Sequence, residues 1–370
     1  MLRALAFWWL ALLATAQLHA ADVTASARYW IDDGGRSTID EVAQLPPDSF
    51  RPMAGAAPFD VGRGALWLRY DLPVLDPDRR WFLLVEGPAF INRAQLYQRN
   101  AAGTWVAQQA GDQVPMSQWA RPELTPRFAV GPQGGDANVT PERTVWLRLE
   151  NFPAALNPGL TLLDWQQVDQ RRSATLLGMG AYLGFGLLVM FLGLVHVRLY
   201  RDRAFVPYMG YVGCMLVFQV AYTGLGSLFF WPEWPRFNDA APALFMLWLT
   251  ASGIWFVREV CAPQRYSRML NRLVLRWVQF GFAYPVVYLL YTTPATLAVL
   301  NLYGFLSVLL SVGLCVWAWR KGETYAGWMA LGFAPLHLAY PFAALRTAGV
   351  LADGWITQYA VLIEIGRAPS

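Results

Sequence analysis

Two patterns divide the chain. Over residues 22–172, apolar and polar positions alternate in short runs; over 174–365 they give way to long uncharged stretches. Leu66-Trp67-Leu68-Arg69-Tyr70-Asp71-Leu72 has period two, which puts Leu66, Leu68, Tyr70 and Leu72 on one face of a strand. Trp67, Arg69 and Asp71 take the other. Val145-Trp146-Leu147-Arg148-Leu149-Glu150 repeats the design, with Trp146, Arg148 and Glu150 sharing a face. Trp81–Glu86, Ile91–Gln98 and Arg127–Val130 are further strand candidates, punctuated by turn-forming clusters such as Gly131-Pro132-Gln133-Gly134-Gly135. No helical pattern of useful length occurs there, so the expectation over 22–164 is an all-β sandwich of antiparallel strands.

The second half has the length scale of a bilayer. Ala174–Val197 is uncharged over 24 residues, Phe205–Pro232 over 28 and Ala240–Val257 over 18. Trp277–Trp319 runs 43 residues without a charge, interrupted by Thr292-Thr293-Pro294. A bilayer takes ~20 residues per helix, so this run predicts two helices joined by a tight turn. Thr324–Leu345 makes a sixth span, and Gly354–Ile363 begins a seventh, with 10 residues before Glu364. The prediction is a transmembrane helical domain over 174–365, six full helices and a partial seventh. A linker at 165–173, free of Gly and Pro, joins it to the β domain, and a tail at 366–370 ends the chain.

Charge orients this arrangement. The loops after the first, third and fifth helices hold ten Lys or Arg residues, from Arg198 to Lys321, and the alternating loops hold only Arg236 and Arg346. The first set faces the cytoplasm by the positive-inside rule, which places the β domain outside the inner membrane, in the periplasm. The start of the chain agrees independently. Arg3 and the apolar run Ala4–Ala16 read as a signal peptide over 1–20, ending at Ala16 or Ala20, with an uncleaved anchor as the alternative; either way the polar domain is exported. Trp231, Trp234 and Trp355 would mark the outer interface, and Trp277, Trp317, Trp319 and Trp328 the inner one. Gly178, Gly180, Gly184 and Gly186 read as small-residue packing positions on the first helix.

The chemistry-bearing residues exclude several functions. The three cysteines, Cys214, Cys261 and Cys315, lie in the membrane half, so the exported domain has no disulfide and relies on its core. The three histidines are His19, His196 and His337. None remains in the mature exported domain, which rules out His-dependent catalysis there. No catalytic residue, metal ligand or cofactor is expected, and the net charge of +4 comes from the loops rather than from a nucleic-acid surface. His337 lies well inside a complete span and Glu364 inside the partial one, which makes both functional candidates. The Trp-Leu-Arg-x-acid echo of Trp67, Arg69, Trp146 and Arg148 has two readings. It is a sheet face where Trp packs on Arg and the acid pairs with it, or a ligand-binding face suited to sugars and organic acids.

Taken in order, these residues resemble a family: seven-transmembrane receptors with diverse intracellular signalling modules, carrying the second type of extracellular domain. The likeness covers nearly all of 28–364. It includes Tyr29-Trp30-Ile31-Asp32, Trp67–Leu72, Gly111-Asp112 with Pro115 and Arg121, and Val145–Arg148. In the membrane half it includes Tyr182–Gly186, Arg201-Asp202-Arg203, Gly224-Leu225-Gly226, Trp231-Pro232-Glu233 and Glu364. Leu192-Gly193 stands where the family has a Tyr-Asn pair, and Gly366–Ser370 does not continue the likeness.

The resemblance implies a jelly-roll-like sensing domain and a bacterial signal-transduction receptor. Relatives carry diguanylate cyclase or histidine kinase outputs. None of their signatures occurs here, so this chain reads as a non-enzymatic sensory portion, truncated or frame-shifted in the seventh helix. The implied partners are a small-molecule ligand of carbohydrate-like type and the lipid bilayer, with a homodimer left open and nucleic acid excluded. The alternative is a transporter or channel with a periplasmic accessory domain, which the near absence of charge in the spans disfavours.

Overall fold

The computed structural model describes residues 21–53, 58–86, 91–100, 102–131, 143–201 and 205–347. The signal segment, Trp355, the partial seventh span with Glu364, and the tail lie outside the described residues. Ten strands form the first half: β1 (Ala21–Asp22), β2 (Arg28–Asp32), β3 (Arg51–Pro52), β4 (Ala65–Asp71), β5 (Trp81–Glu86), β6 (Arg93–Arg99), β7 (Trp105–Ala110), β8 (Arg127–Val130), β9 (Thr144–Glu150) and β10 (Gly159–Asp164). They make two antiparallel sheets, ordered β1-β10-β5-β8 and β3-β2-β4-β9-β6-β7. Leu66, Leu68 and Tyr70 of β4 meet Leu83 and Val85 of β5 and Leu160 and Leu162 of β10 in one core between the sheets. The period-two reading of β4 and β9 therefore assigned the inner face correctly.

The other face of the six-stranded sheet is not open to solvent. A five-residue helix, α1 (Ile39–Ala43), lies over it. Thr38 caps it: its hydroxyl accepts from the Glu41 N–H at 3.4 Å, and the Glu41 carboxylate accepts from the Thr38 N–H at 2.8 Å. Val42 and Phe50 from this segment pack with Trp67 and Trp146 into a second, smaller core. The expectation of no useful helix in this half missed it, because one turn is too short to show a 3.6-residue period.

Helices make up the second half: α2 (Trp165–Tyr200), α3 (Phe205–Tyr222), α4 (Pro235–Cys261), α5 (Arg268–Leu290), α6 (Pro294–Arg320) and α7 (Thr324–Thr347). Among the described residues, α2 to α6 are five helices long and apolar enough to cross a membrane. Helix α4 is central, packing against α3, α5, α6 and α7. The 28-residue run from Phe205 to Pro232 is not one helix. It breaks after Tyr222, where Gly224 adopts φ +79°, and a single wide turn over Gly226–Phe230 follows. Hydropathy does not register such a break, since the residues stay apolar.

The segment 165–173 is not a separate linker but the first turns of α2. Asp164, the last residue of β10, caps the helix by accepting from the Gln167 N–H at 2.9 Å. Val168 then packs on the outer face of the four-stranded sheet with Phe82, Ala129 and Leu163. Arg171 pairs with Glu86 at 3.0 Å and Arg172 with Glu123 at 3.4 Å, binding the helix to the β domain.

Within the membrane half, Gly186 alone of the four glycines expected to pack does so, against Leu216; the others face open space. Trp234, Trp319 and Trp328 are exposed, as anchoring residues should be. Trp277 instead stacks on Tyr303 at 5.1 Å and donates to the Ser307 hydroxyl at 2.8 Å, inside the bundle.

Candidate functional site

The sequence-predicted ligand face comes together, but as packing. Trp67 lies opposite Arg148 and Arg69 opposite Trp146 across the β4–β9 pair. Each guanidinium sits over the facing indole, at 5.9 Å for Arg148 on Trp67 and 5.5 Å for Arg69 on Trp146. Arg148 also pairs with Glu150, and it donates to the Gly35 carbonyl at 2.7 Å and to Gln95 at 3.2 Å. Trp67 is 0% exposed and Trp146 4%, beneath α1 and its neighbours. Neither ring is exposed, and of the two guanidinium side chains, both partly buried, Arg69 reaches further toward solvent than Arg148. His337 stacks on Phe333 at 5.8 Å in α7.

A different constellation lies where the β domain meets the outer ends of the helices. It begins at the loop after β7. Gly111 takes φ +135°, and a Cβ there would stand 2.4 Å from the Asn92 carbonyl, so only glycine fits. That turn buries Asp112, which is 2% exposed. The loop then runs along the chain between α3 and α4. Met116 N–H donates to the Pro232 carbonyl at 2.8 Å, and the Ser117 hydroxyl donates to Glu233 at 2.9 Å. Asn238, on the first turn of α4, donates to the Asp112 carbonyl at 3.3 Å and accepts from the Trp231 indole at 3.0 Å. At the far end of the loop the backbone at Gly224 comes so close that a Cβ would stand 2.3 Å from the Leu124 carbonyl.

At the centre is Asn92, 5% exposed. Its side-chain amide donates to Asp112 at 3.3 Å and to Asp239 of α4 at 2.9 Å, so one NH₂ group holds carboxylates from both halves of the molecule. Its carbonyl oxygen accepts from the Phe152 N–H. Gln113 adds a second amide to Asp239 at 3.1 Å. Burial, and then the negative charge of Asp239, push the Asp112 carboxyl well above the usual carboxylate range; the Asn92 hydrogen bond opposes this only in part. The second Asp112 oxygen is buried and has no hydrogen-bond partner among the described residues. A neutral Asp112 fits this site better than an ionised one.

Above this polar cluster opens a cavity of about 380 Å³, walled by the β domain on one side and by α4 and the end of α5 on the other. Arg63, Asn92 and Phe152 line it from the β domain, and Asp239 and Thr292 from the helices. Sequence reasoning quoted Gly111, Asp112, Gly224 and Trp231–Glu233 in its resemblance without seeing that they meet. It missed Arg63, Asn92, Gln113 and Asp239. For Asp239 a signal existed, an acid directly before the uncharged run of α4; a buried asparagine leaves none.

A β-sandwich-like extracellular domain seated on a multi-pass helical domain through a built polar interface defines a receptor-type membrane protein. Comparison with known families agrees over both halves. The model for 7TM diverse intracellular signalling matches residues 176–366, and that for 7TMR-DISM extracellular 2 matches 24–164. The chain belongs to the 7TMR-DISM family. No curated protein matches it. Both matched domains are sensory rather than catalytic in type.

Proposed function

We propose that this chain is an inner-membrane receptor that senses a small polar solute on the periplasmic side and transmits its binding through the seam between β domain and helices. Its ten-stranded domain is read as jelly-roll-like, and the chain as the sensory portion of a diguanylate cyclase or a sensor histidine kinase. What carries the reading is the double attachment of the sensing domain. Covalently, β10 runs into α2 without a break; non-covalently, the loop from Gly111 to Leu124 is held to 223–239 by hydrogen bonds from both halves. A ligand that favours one arrangement of the two halves over another shifts the helices by its differential affinity.

Two measurements test this. Alkaline phosphatase fused after Gly159 should be active and after Arg268 inactive; the reverse at either site defeats the orientation. In lipid nanodiscs, a fluorophore pair on Ala102 and Arg265 should change distance when a bound solute is added. The change should vanish when Ser117→Cys and Glu233→Cys are joined by a disulfide across the seam. Solute binding with an unchanged distance would defeat the receptor reading.

A further inference from the structure

We propose that the cavity between the β domain and the outer ends of α4 and α5 is a binding site for a small zwitterion of amino-acid size, its carboxylate held by Arg63 and its ammonium by Asp239. As the sensing site of the chain it rests on the receptor reading above; as a binding site it stands by itself.

The cavity's size, about 380 Å³, is at the small end of the ~300–1,000 Å³ usual for small-molecule sites. Its charges select among ligands of that size. Arg63 is exposed at the cavity wall, its guanidinium 5.0 Å from the Phe152 ring centre, and among the described residues no carboxylate pairs with it. Asp239 lines the cavity from the helix side, and among the described residues it is held by the neutral amides of Asn92 and Gln113. The third charged lining residue, Glu150, is already paired with Arg148. One positive and one negative group thus line the same cavity, one from each half of the molecule, and among the described residues neither has an ionic partner. A cationic ligand would satisfy Asp239 and meet repulsion from Arg63, and an anionic one the converse. A neutral sugar would offer hydroxyl hydrogen bonds to both groups but an opposite charge to neither. A zwitterion pairs both, and the Phe152 ring offers an apolar surface to the rest of it.

Arg63 is also placed in advance. It sits between Gly62, at φ +54°, and Gly64, where a Cβ would stand 2.3 Å from the Asp32 carbonyl. Asp32 in turn accepts three backbone N–H groups, from Gly34, Gly35 and Ser37, at 3.2, 3.0 and 2.8 Å. The backbone carrying Arg63 is therefore fixed against the β domain, while Asp239 belongs to the helices. A ligand held by both ties the two halves together.

The test uses the full chain in lipid nanodiscs and isothermal titration. The zwitterion probes are glycine, L-alanine, L-valine and L-glutamine. Isobutylamine and isovalerate serve as the separated halves of valine, and glucose as the neutral control. At least one zwitterion should bind, and each of its halves about tenfold or more weakly. Arg63→Gln should weaken the zwitterion about tenfold or more while the amine, freed of repulsion, binds no more weakly than before; Asp239→Asn should do the same to the zwitterion and leave the carboxylate binding no more weakly than before. This crossed pattern separates lost pairing from a misfolded variant, which would lose both. The proposal is overturned if no zwitterion binds at millimolar concentration, if the amine binds as tightly as the zwitterion, or if glucose alone binds. Zwitterion binding without a change in the Ala102–Arg265 distance would leave this site standing and remove the receptor reading; a glucose-driven change would do the reverse.

Discussion

In the β domain Leu66, Trp67, Leu68 and Leu83 are all 0% exposed, whereas along α2 Leu177, Phe185 and Leu199 are 77%, 66% and 70% exposed. The residue types are the same and the solvents are opposite. The first set is removed from water by the protein, so every atom of it contributes to folding. The second is removed from water by lipid, whose tails are as apolar as leucine, so its contacts with the bundle add little. Between these two apolar bodies lies a seam of a different kind, made by Asn92, Asp112, Ser117, Glu233, Asn238 and Asp239. Directional bonds of about 1 kcal/mol each hold it, against the larger sums that hold either core. Such a joint sits at the low end of local stability, where a moving part belongs.

The contrast is broken most severely inside the β domain. Trp67→Ala should destabilise isolated residues 21–164 by about 3–5 kcal/mol and lower their thermal midpoint by roughly 10 °C or more. The wild-type domain should show one cooperative melt, insensitive to reductant, since it holds no cysteine. A small shift for Trp67→Ala would mean that the covering segment around α1 is loosely held.

The seam should respond next. Gly224→Ala forces a side chain into φ +79° and against the Leu124 carbonyl, at a cost of about 1–3 kcal/mol. Hydrogen exchange of the Met116 and Ser117 amides, which bond across the seam, should quicken, while the β4 and β9 amides stay protected. Equal loss in both places would mean that the seam and the sandwich unfold as one.

Smaller again is the effect of pH. Docked, Asp112 keeps its proton above the usual carboxylate range; undocked, it returns to that range. The seam's stability from this group is therefore fully present below the ordinary carboxylate pKa and is lost as pH rises through the raised one. Exchange of the same two amides should quicken with rising pH beyond the intrinsic trend, and Asp112→Asn should flatten that excess. Smallest of all, Phe185→Ala on the lipid-facing side of α2 should change bundle stability by no more than about 0.5 kcal/mol.

How much of this the sequence held depends on the element. β5 and β8 match their predicted bounds, and β4, β6 and β9 are displaced by one or two residues, because each alternates or is bounded by turn residues. β10 went unread. Leu160-Thr161-Leu162-Leu163 is buried on both faces, between the core and Val168 of α2, so it has no alternation to detect. β7 is an edge strand whose Val106 and Ala107 stay exposed, and its pattern is correspondingly weak. The alternation of Trp67 and Arg69 was read rightly, yet it could not say that a distant turn of helix covers that face. The seam shares this limit. Asn92 lies 20 residues from Asp112 and 147 from Asp239, and no local pattern relates positions so far apart.

The capped junction at Asp164 has a mechanical consequence. Helix α2 is one unbroken element of 36 residues, about 54 Å at 1.5 Å per residue, and its first turns are bolted to the sheet by Arg171 and Arg172. It is thus a lever whose short arm is clamped in the sensing domain and whose long arm crosses the bilayer. The seam at Asp112 and Asp239 lies to one side of that clamp. Closing or opening it rocks the β domain about the junction, and a tilt of roughly 5° would carry the far end of the rod sideways by about 5 Å, close to one helical turn.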